Sequence, residues 1–240
     1  MRPLSLLLAL PIMACSAGNA ASGETVEARG TGPSRDYDVA GFTQVDLRGS
    51  DDVDVRVGPA FSVRAQGPGD ELDKLQIDRS GDTLRIGRKK NFGMSWNSGP
   101  GVKVFVTMPR LSGAAVSGSG DMTVDRVEGE RFAGEVAGSG SLSIGAIRVG
   151  DAALSVAGSG DVIGAGSAGT LRMEIAGSGD IDARQLTAAQ ARVSIAGSGN
   201  ARATVNGPAK ISIAGSGDVE LGGSPRCSTS TVGSGEVRCG

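Results

Sequence analysis

The sequence predicts an all-β protein, a parallel right-handed β-helix with coils of about 18–20 residues, entered through irregular β coils or a β cap. Three observations carry this. The tripeptide Gly-Ser-Gly begins at Gly118, Gly138, Gly158, Gly177, Gly197, Gly215 and Gly233, in steps of 20, 20, 19, 20, 18 and 18 residues. Around each triplet, apolar residues alternate with small or polar ones: Val116, Val136, Val156, Ile175, Ile195, Ile213 and Thr231 precede it by two, and Met122, Leu142, Val162, Ile181, Ala201, Val219 and Val237 follow four after its first Gly. That is the period of strands with one buried face. Finally, no segment shows a good 3.6-residue period, and a Gly-Ser-Gly in every unit opposes helix formation. A unit of this length cannot bury its aliphatic stripe alone; stacked copies can, row upon row at the strand spacing of about 4.8 Å. An antiparallel meander is the competing arrangement.

The elements follow in chain order. Residues 1–20 read as an export signal: Arg2, a short apolar run from Leu4 to Ala14, then small residues. Two processing routes compete. Ile12-Met13-Ala14-Cys15 fits a bacterial lipobox that would lipidate Cys15, and Gly18-Asn19-Ala20 offers ordinary cleavage. The apolar run is too short to span a bilayer, so any membrane association is expected only through an N-terminal lipid. Residues 21–40, rich in Gly, Ser, Thr and charge, read as a flexible tether. Residues 41–112 contain alternating segments such as Val53-Asp54-Val55-Arg56-Val57 and Val102-Lys103-Val104-Phe105-Val106, read as irregular β coils continuous with the repeat. A separate β-sandwich is the alternative. Residues 113–240 are the repeat β-helix proper.

Each triplet has the chemistry of a tight corner, since Gly accepts positive φ. The residue after it forms a column: Asp121, Ser141, Asp161, Asp180, Asn200, Asp218 and Glu236. Asp161, Asp180 and Asp218 are candidate calcium ligands in that column; the simpler expectation is that each Asp or Asn caps its own turn. The loop containing Arg88, Lys89, Lys90, Phe92 and Trp96 holds the single Trp and a dense positive run, and is a candidate binding loop, or else a hairpin whose aromatics fold back onto the sheet. Cys227 and Cys239 fall twelve apart in the last coil. In an oxidising compartment they are expected to form a disulfide closing an otherwise open sheet edge, with two free thiols as the alternative.

Composition bounds the chemistry. The chain of 240 residues has no His, which removes Ser-His-Asp, Cys-His and His-ligated zinc catalysis. The formal net charge of −2 gives no overall case for nucleic acid or an anionic membrane. Aromatics are 3%, so platforms for stacking sugars are scarce. Gly164-Ala165-Gly166-Ser167-Ala168-Gly169 spells a dinucleotide fingerprint, but with no helical segment after it. No cofactor is implied.

The serial Val/Ile-Ala-Gly-Ser-Gly-Asp units, the entry Phe42-Thr43-Gln44-Val45-Asp46-Leu47-Arg48-Gly49-Ser50, and Leu72-Asp73-Lys74-Leu75 with Thr83-Leu84-Arg85-Ile86 resemble the head GIN domain family, described as auto-transporter adhesins of unknown function. The likeness covers residues 40–239, including the closing Cys pair. The resemblance implies an exported bacterial β-helix protein, often a lipoprotein of the periplasm, outer membrane or cell surface, and brings no catalytic residues. The function expected is therefore a non-catalytic binding, adhesion or structural module whose partner is a glycan or envelope protein. A polysaccharide lyase or hydrolase on the same scaffold is the alternative. The sequence specifies no oligomeric state.

Overall fold

Wherever a triplet stands, the chain leaves one sheet and enters the next, so the repeat sets the path of the backbone. The computed structural model describes residues 23–89 and 101–240. The N-terminal part contains β1 (Glu24–Thr25), β2 (Ala28–Arg29), β3 (Ser34–Tyr37), β4 (Gln44–Gly49), β5 (Asp52–Val57) and β6 (Ser62–Gln66). The short helix α1 (Gly69–Leu72) follows, then β7 (Leu75–Ser80), β8 (Thr83–Arg88) and β9 (Lys103–Met108). The repeat comprises β10 (Gly113–Gly118), β11 (Met122–Val124), β12 (Val127–Gly138), β13 (Ser141–Gly158), β14 (Asp161–Gly177), β15 (Ile181–Gly197), β16 (Ala201–Val205), β17 (Pro208–Gly215), β18 (Val219–Gly223), β19 (Arg226–Gly233) and β20 (Val237–Cys239).

The repeat strands pair in parallel and in register, so the protein is a β-solenoid. Val116 lies opposite Val136, then Val156, Ile175, Ile195, Ile213 and Thr231 in successive coils. On the other side of the corner, Met122, Leu142, Val162, Ile181, Ala201, Val219 and Val237 form a second ladder. Both ladders are buried up to the last coil. β-Branched residues suit this interior because their stiff side chains pack row on row on a pleated surface. Each fully buried Val or Ile contributes about 1.5–3 kcal/mol relative to exposure. The looser second corner lies inside the long strands, marked by register shifts between Ile144 and Ile147, Ile163 and Ala165, and Ala183 and Thr187.

The N-terminal half joins the same stack, but not in chain order. β4 pairs in parallel with β10 and β5 with β11, so Leu47 and Val53 extend the two inner ladders. On the opposite side, β8 lies parallel to β4 and β9 to β5. The coil made by β4 and β5 thus sits between β8/β9 and β10/β11. Antiparallel strands then cover this end: β6 on β9, β7 on β8, β3 on β6, β2 on β3 and β1 on β7.

The described part of the segment expected to be a flexible tether is not free. β3 pairs with β6 over four residues, Tyr37 and Val39 are buried, and Val26 packs against the core. Its polar composition reads as a linker, but β6 and β7 offer backbone edges that pair with almost any extended segment.

Candidate functional site

The triplet corners are built by contact between coils. The carbonyl of Gly118 accepts the N–H of Ser139 at 2.9 Å and that of Gly140 at 3.0 Å; the carbonyl of Gly138 accepts those of Ser159 and Gly160 at 2.9 and 3.0 Å. The backbones approach so closely that no Cβ fits. One placed on Gly140 would lie 2.1 Å from the Gly120 oxygen, and one on Gly197 would lie 2.1 Å from that of Gly177.

The column after the triplet works between coils as well. The carboxylate of Asp121 accepts the N–H of Ser141 at 2.9 Å, Asp161 that of Asp180 at 3.0 Å, Asp180 that of Asn200 at 2.8 Å, and Asp218 that of Glu236 at 2.8 Å. The expectation that each acid caps its own turn is corrected: it caps the turn of the next coil. Asn200 relieves repulsion within the column, donating its amide to Asp180 at 3.0 Å and accepting from the N–H of Asp218 at 3.2 Å. Among the described residues, no group of three acidic or Cys side chains converges as a metal site, at Asp161, Asp180 and Asp218 or elsewhere.

Of the candidate binding loop, the structure describes the base. β8 and β9, which flank it in sequence, lie parallel to β4 and β5 on the side away from the repeat. Asp51 carries a side chain at a position aligned with the second Gly of the triplets, stacked against Gly120. Among the described residues it is the one buried charged residue, 1% exposed. Arg88 holds it through two nitrogens, and the Val102 N–H donates to it at 3.2 Å. Arg88 also pairs with Glu71. Hydrogen bonds from Lys74, and then from Arg88, hold the Glu71 carboxyl below the usual glutamate range, while Asp51 raises the already high pKa of Arg88. Lys89 donates to the Asp73 carbonyl at 2.8 Å. Arg88 and Lys89 therefore both bond to the scaffold at the base of the loop. Lys90, Phe92 and Trp96 lie outside the described residues.

The two faces flanking the corner differ in charge. After the triplet, Asp182, Arg202, Glu220 and Arg238 stand opposite one another in successive coils, alternating in sign. Arg202 approaches Glu220 at 3.8 Å and Asp180 at 3.7 Å. Arg184 binds Asp182, and its hydrogen bond is the main reason that carboxyl is held below its usual range. Before the triplet, Arg172 lies opposite Arg192, and Arg192 opposite Lys210. Arg226 stands in the adjoining row, two residues from Ser228, which faces Lys210. All four cations are exposed. The sequence reading missed this column, although the alignment that reveals the aliphatic ladders also places Arg172, Arg192 and Lys210 five residues before their triplets.

At the far end, Cys227 and Cys239 form a disulfide. It ties β19 to β20 in the last coil, where Thr229 and Thr231 replace the aliphatic residues of earlier coils and are exposed. Cys15 lies outside the described residues.

A parallel β-solenoid with hydrogen-bonded Gly-Ser-Gly corners, a mixed N-terminal cap and straight, charge-patterned faces defines the class of protein. The chain belongs to the family described as "Putative auto-transporter adhesin, head GIN domain", whose model matches residues 41–225. No curated protein matches it. Among solved structures, it is similar to one described as a putative adhesin from Bacteroides fragilis: 22% identity over 85% of this chain and 95% of that one, TM-score 0.78. A protein from Parabacteroides distasonis described as a putative lipid binding protein matches at 23% identity over 89% and 98% of the two chains, TM-score 0.69. A further adhesin-like protein from Parabacteroides merdae shows 17% identity over 88% and 96%, TM-score 0.68. At these identities the likeness is one of fold.

Proposed function

We propose that this protein is a non-catalytic binding module of the bacterial cell envelope, exported by its N-terminal signal and tethered through a lipid on Cys15. Family membership supports an adhesin-like role. The observation that carries the reading is how the corner carboxylates are used. In Asp121, Asp161, Asp180 and Asp218 one oxygen already holds a backbone N–H of the neighbouring coil. A glycosidase needs two carboxyl groups facing each other across a substrate, at least one free to give up or take a proton. Here the acids run in file along one edge and serve as scaffold. What is left to meet a partner is a set of long, rigid faces, preorganised for binding because the strands beneath them are paired on both sides.

The test incubates the mature chain with a panel of neutral and acidic polysaccharides and envelope proteins, and measures binding and turnover together. Binding without release of reducing ends or unsaturated sugars is expected. Turnover abolished by Asp161→Ala with Asp180→Ala would make the protein a polysaccharide-active enzyme instead. For the tether, Cys15→Ala is expected to move the protein from the membrane to the soluble fraction; unchanged membrane association would remove the lipid from the account.

A further inference from the structure

We infer that the face carrying Arg172, Arg192, Lys210 and Arg226 is a binding site for a linear acidic polysaccharide. This rests on the binding-module reading above and names its ligand.

The first observation is a charge imbalance that the scaffold did not have to carry. Arg172, Arg192 and Lys210 occupy one position in three successive coils, paired directly across the sheet. Like charges directly opposite are destabilising. None of the four cations has a carboxylate of Asp or Glu within 4.0 Å among the described residues, and the two remaining segments, residues 1–22 and 90–100, contain no Asp or Glu. One acid, Glu174, shares this part of the face, opposite Ser194. On the neighbouring face the same coils alternate Asp182, Arg202, Glu220 and Arg238 and neutralise themselves. The architecture therefore has a ready way to balance a charge column and does not use it here.

The second observation is shape. Arg172, Arg192, Lys210 and Arg226, with Gln190 and Ser228, line an open groove of about 330 Å³. Because the strands stack at about 4.8 Å, Arg172, Arg192 and Lys210 rise in line along the solenoid axis, and Arg226 follows in the next coil one row aside. A ligand that meets all of them is extended and carries negative charge at intervals along its length. Arg offers a planar fork that takes a carboxylate or sulfate through two hydrogen bonds.

The third observation is what lies beside the charges. Ser194, Ser212 and Ser230 form a parallel column two residues along each strand. Each hydroxyl donates and accepts, which suits the hydroxyl groups of a sugar chain. The next outward column is Ala176, Ala196 and Ala214. Among the described residues it offers no aromatic ring for stacking a nucleobase, and it ends on one exposed Val232 in the last coil, a single small side chain rather than the apolar face that entering a bilayer takes. Acidic polysaccharide is the class that charge, hydroxyls and flatness fit together.

The experiment titrates the full mature chain with three probes: polygalacturonate, dextran sulfate and neutral dextran. Binding to at least one acidic polymer and none to dextran is expected. Arg192→Glu with Lys210→Glu alters two exposed residues and is expected to weaken that binding at least tenfold, with the circular dichroism spectrum unchanged. Arg148→Glu with Arg238→Glu makes the same change in net charge on other faces and should leave affinity within about twofold. Arg192→Lys with Lys210→Arg keeps the column and should bind like the parent. Equal losses in the two charge-reversal pairs would overturn the site, since overall charge would then explain the binding. Failure of both acidic polymers to bind would overturn the ligand class; if neutral glycans or envelope proteins still bound, the module reading would survive without it. Acidic polymer bound through this column and also cleaved would support the site and overturn the non-catalytic reading.

Discussion

Gly197→Ala is the sharpest probe of how the coils are held together. Gly197 has φ +136°, and a Cβ there would lie 2.1 Å from the Gly177 oxygen, which accepts the Ser198 N–H at 2.8 Å. The substitution imposes two costs. An alanine forced into that backbone conformation stores about 1–3 kcal/mol. Pushing apart two packed corners adds about 1–3 kcal/mol more, the usual penalty of overpacking. The sum is about 2–6 kcal/mol. Gly49→Ala separates the two, because Gly49 has φ +131° with nothing within 4 Å of the added carbon. It should cost the strain alone. Urea unfolding followed by circular dichroism reads the difference. With a slope of about 1–3 kcal/mol per molar urea, the Gly197→Ala midpoint should fall below that of Gly49→Ala by about 0.3 M or more. Equal midpoints would refute the claim that inter-coil contact, rather than turn conformation, requires glycine in the triplet.

Other consequences are as direct. Reducing the Cys227–Cys239 bond, or replacing both by Ser, removes a constraint worth about 3 kcal/mol on the chain-entropy estimate; because the bond ties only the last coil, amide exchange should accelerate mainly over residues 226–239, and unchanged protection there would contradict its role. Arg88→Ala leaves the buried Asp51 without its cation and should destabilise by about 3 kcal/mol, whereas Asp51→Asn with Arg88→Gln should recover part of that loss, a recovery visible in urea midpoints. Glu71 has a folded pKa below its unfolded value, so its contribution is present above the ordinary glutamate range and is lost as pH falls through the folded value. The acid sensitivity of the parent below about pH 4.5 should therefore be blunted in Glu71→Gln, as read by thermal unfolding at stepped pH. Asp180→Ala removes the acceptor of the Asn200 N–H and should cost about 1 kcal/mol, with Asp180→Asn near neutral.

The repeat and its inward residues could be read from the chain because both obey simple periods: two residues for the pleat, and 18 to 20 for the coil. Val116, Val136 and Val156 announce a buried row before any coordinates. What escaped the reading depends on partners far away in sequence. The Asp161 carboxylate looks like a local cap, yet the N–H it holds belongs to Asp180, 19 residues on, a neighbour created only by stacking. Residues 23–40 have a linker's composition, and their pairing is decided by open edges on β6 and β7. Arg88 reads as part of a basic binding run; the Asp51 carboxylate it meets is 37 residues back in the chain and is brought to it only by the pairing of β8 with β4. The basic column was hidden by a net charge near neutrality, which averages an alternating face with an unbalanced one.

Removal of one whole coil tests the central claim, that successive windings stack in parallel register as interchangeable layers. Deleting residues 178–197 joins Gly177 to Ser198 and brings β14 onto β16 and β17 with every inward row intact. The account predicts a soluble chain with the parent's β spectrum and cooperative unfolding, at somewhat lower stability. Deleting only residues 178–187 breaks the register and should abolish folding. If the full-coil deletion failed to fold, or the half-coil deletion folded as well as it did, the layers would not be equivalent and the stacked-coil account would be contradicted.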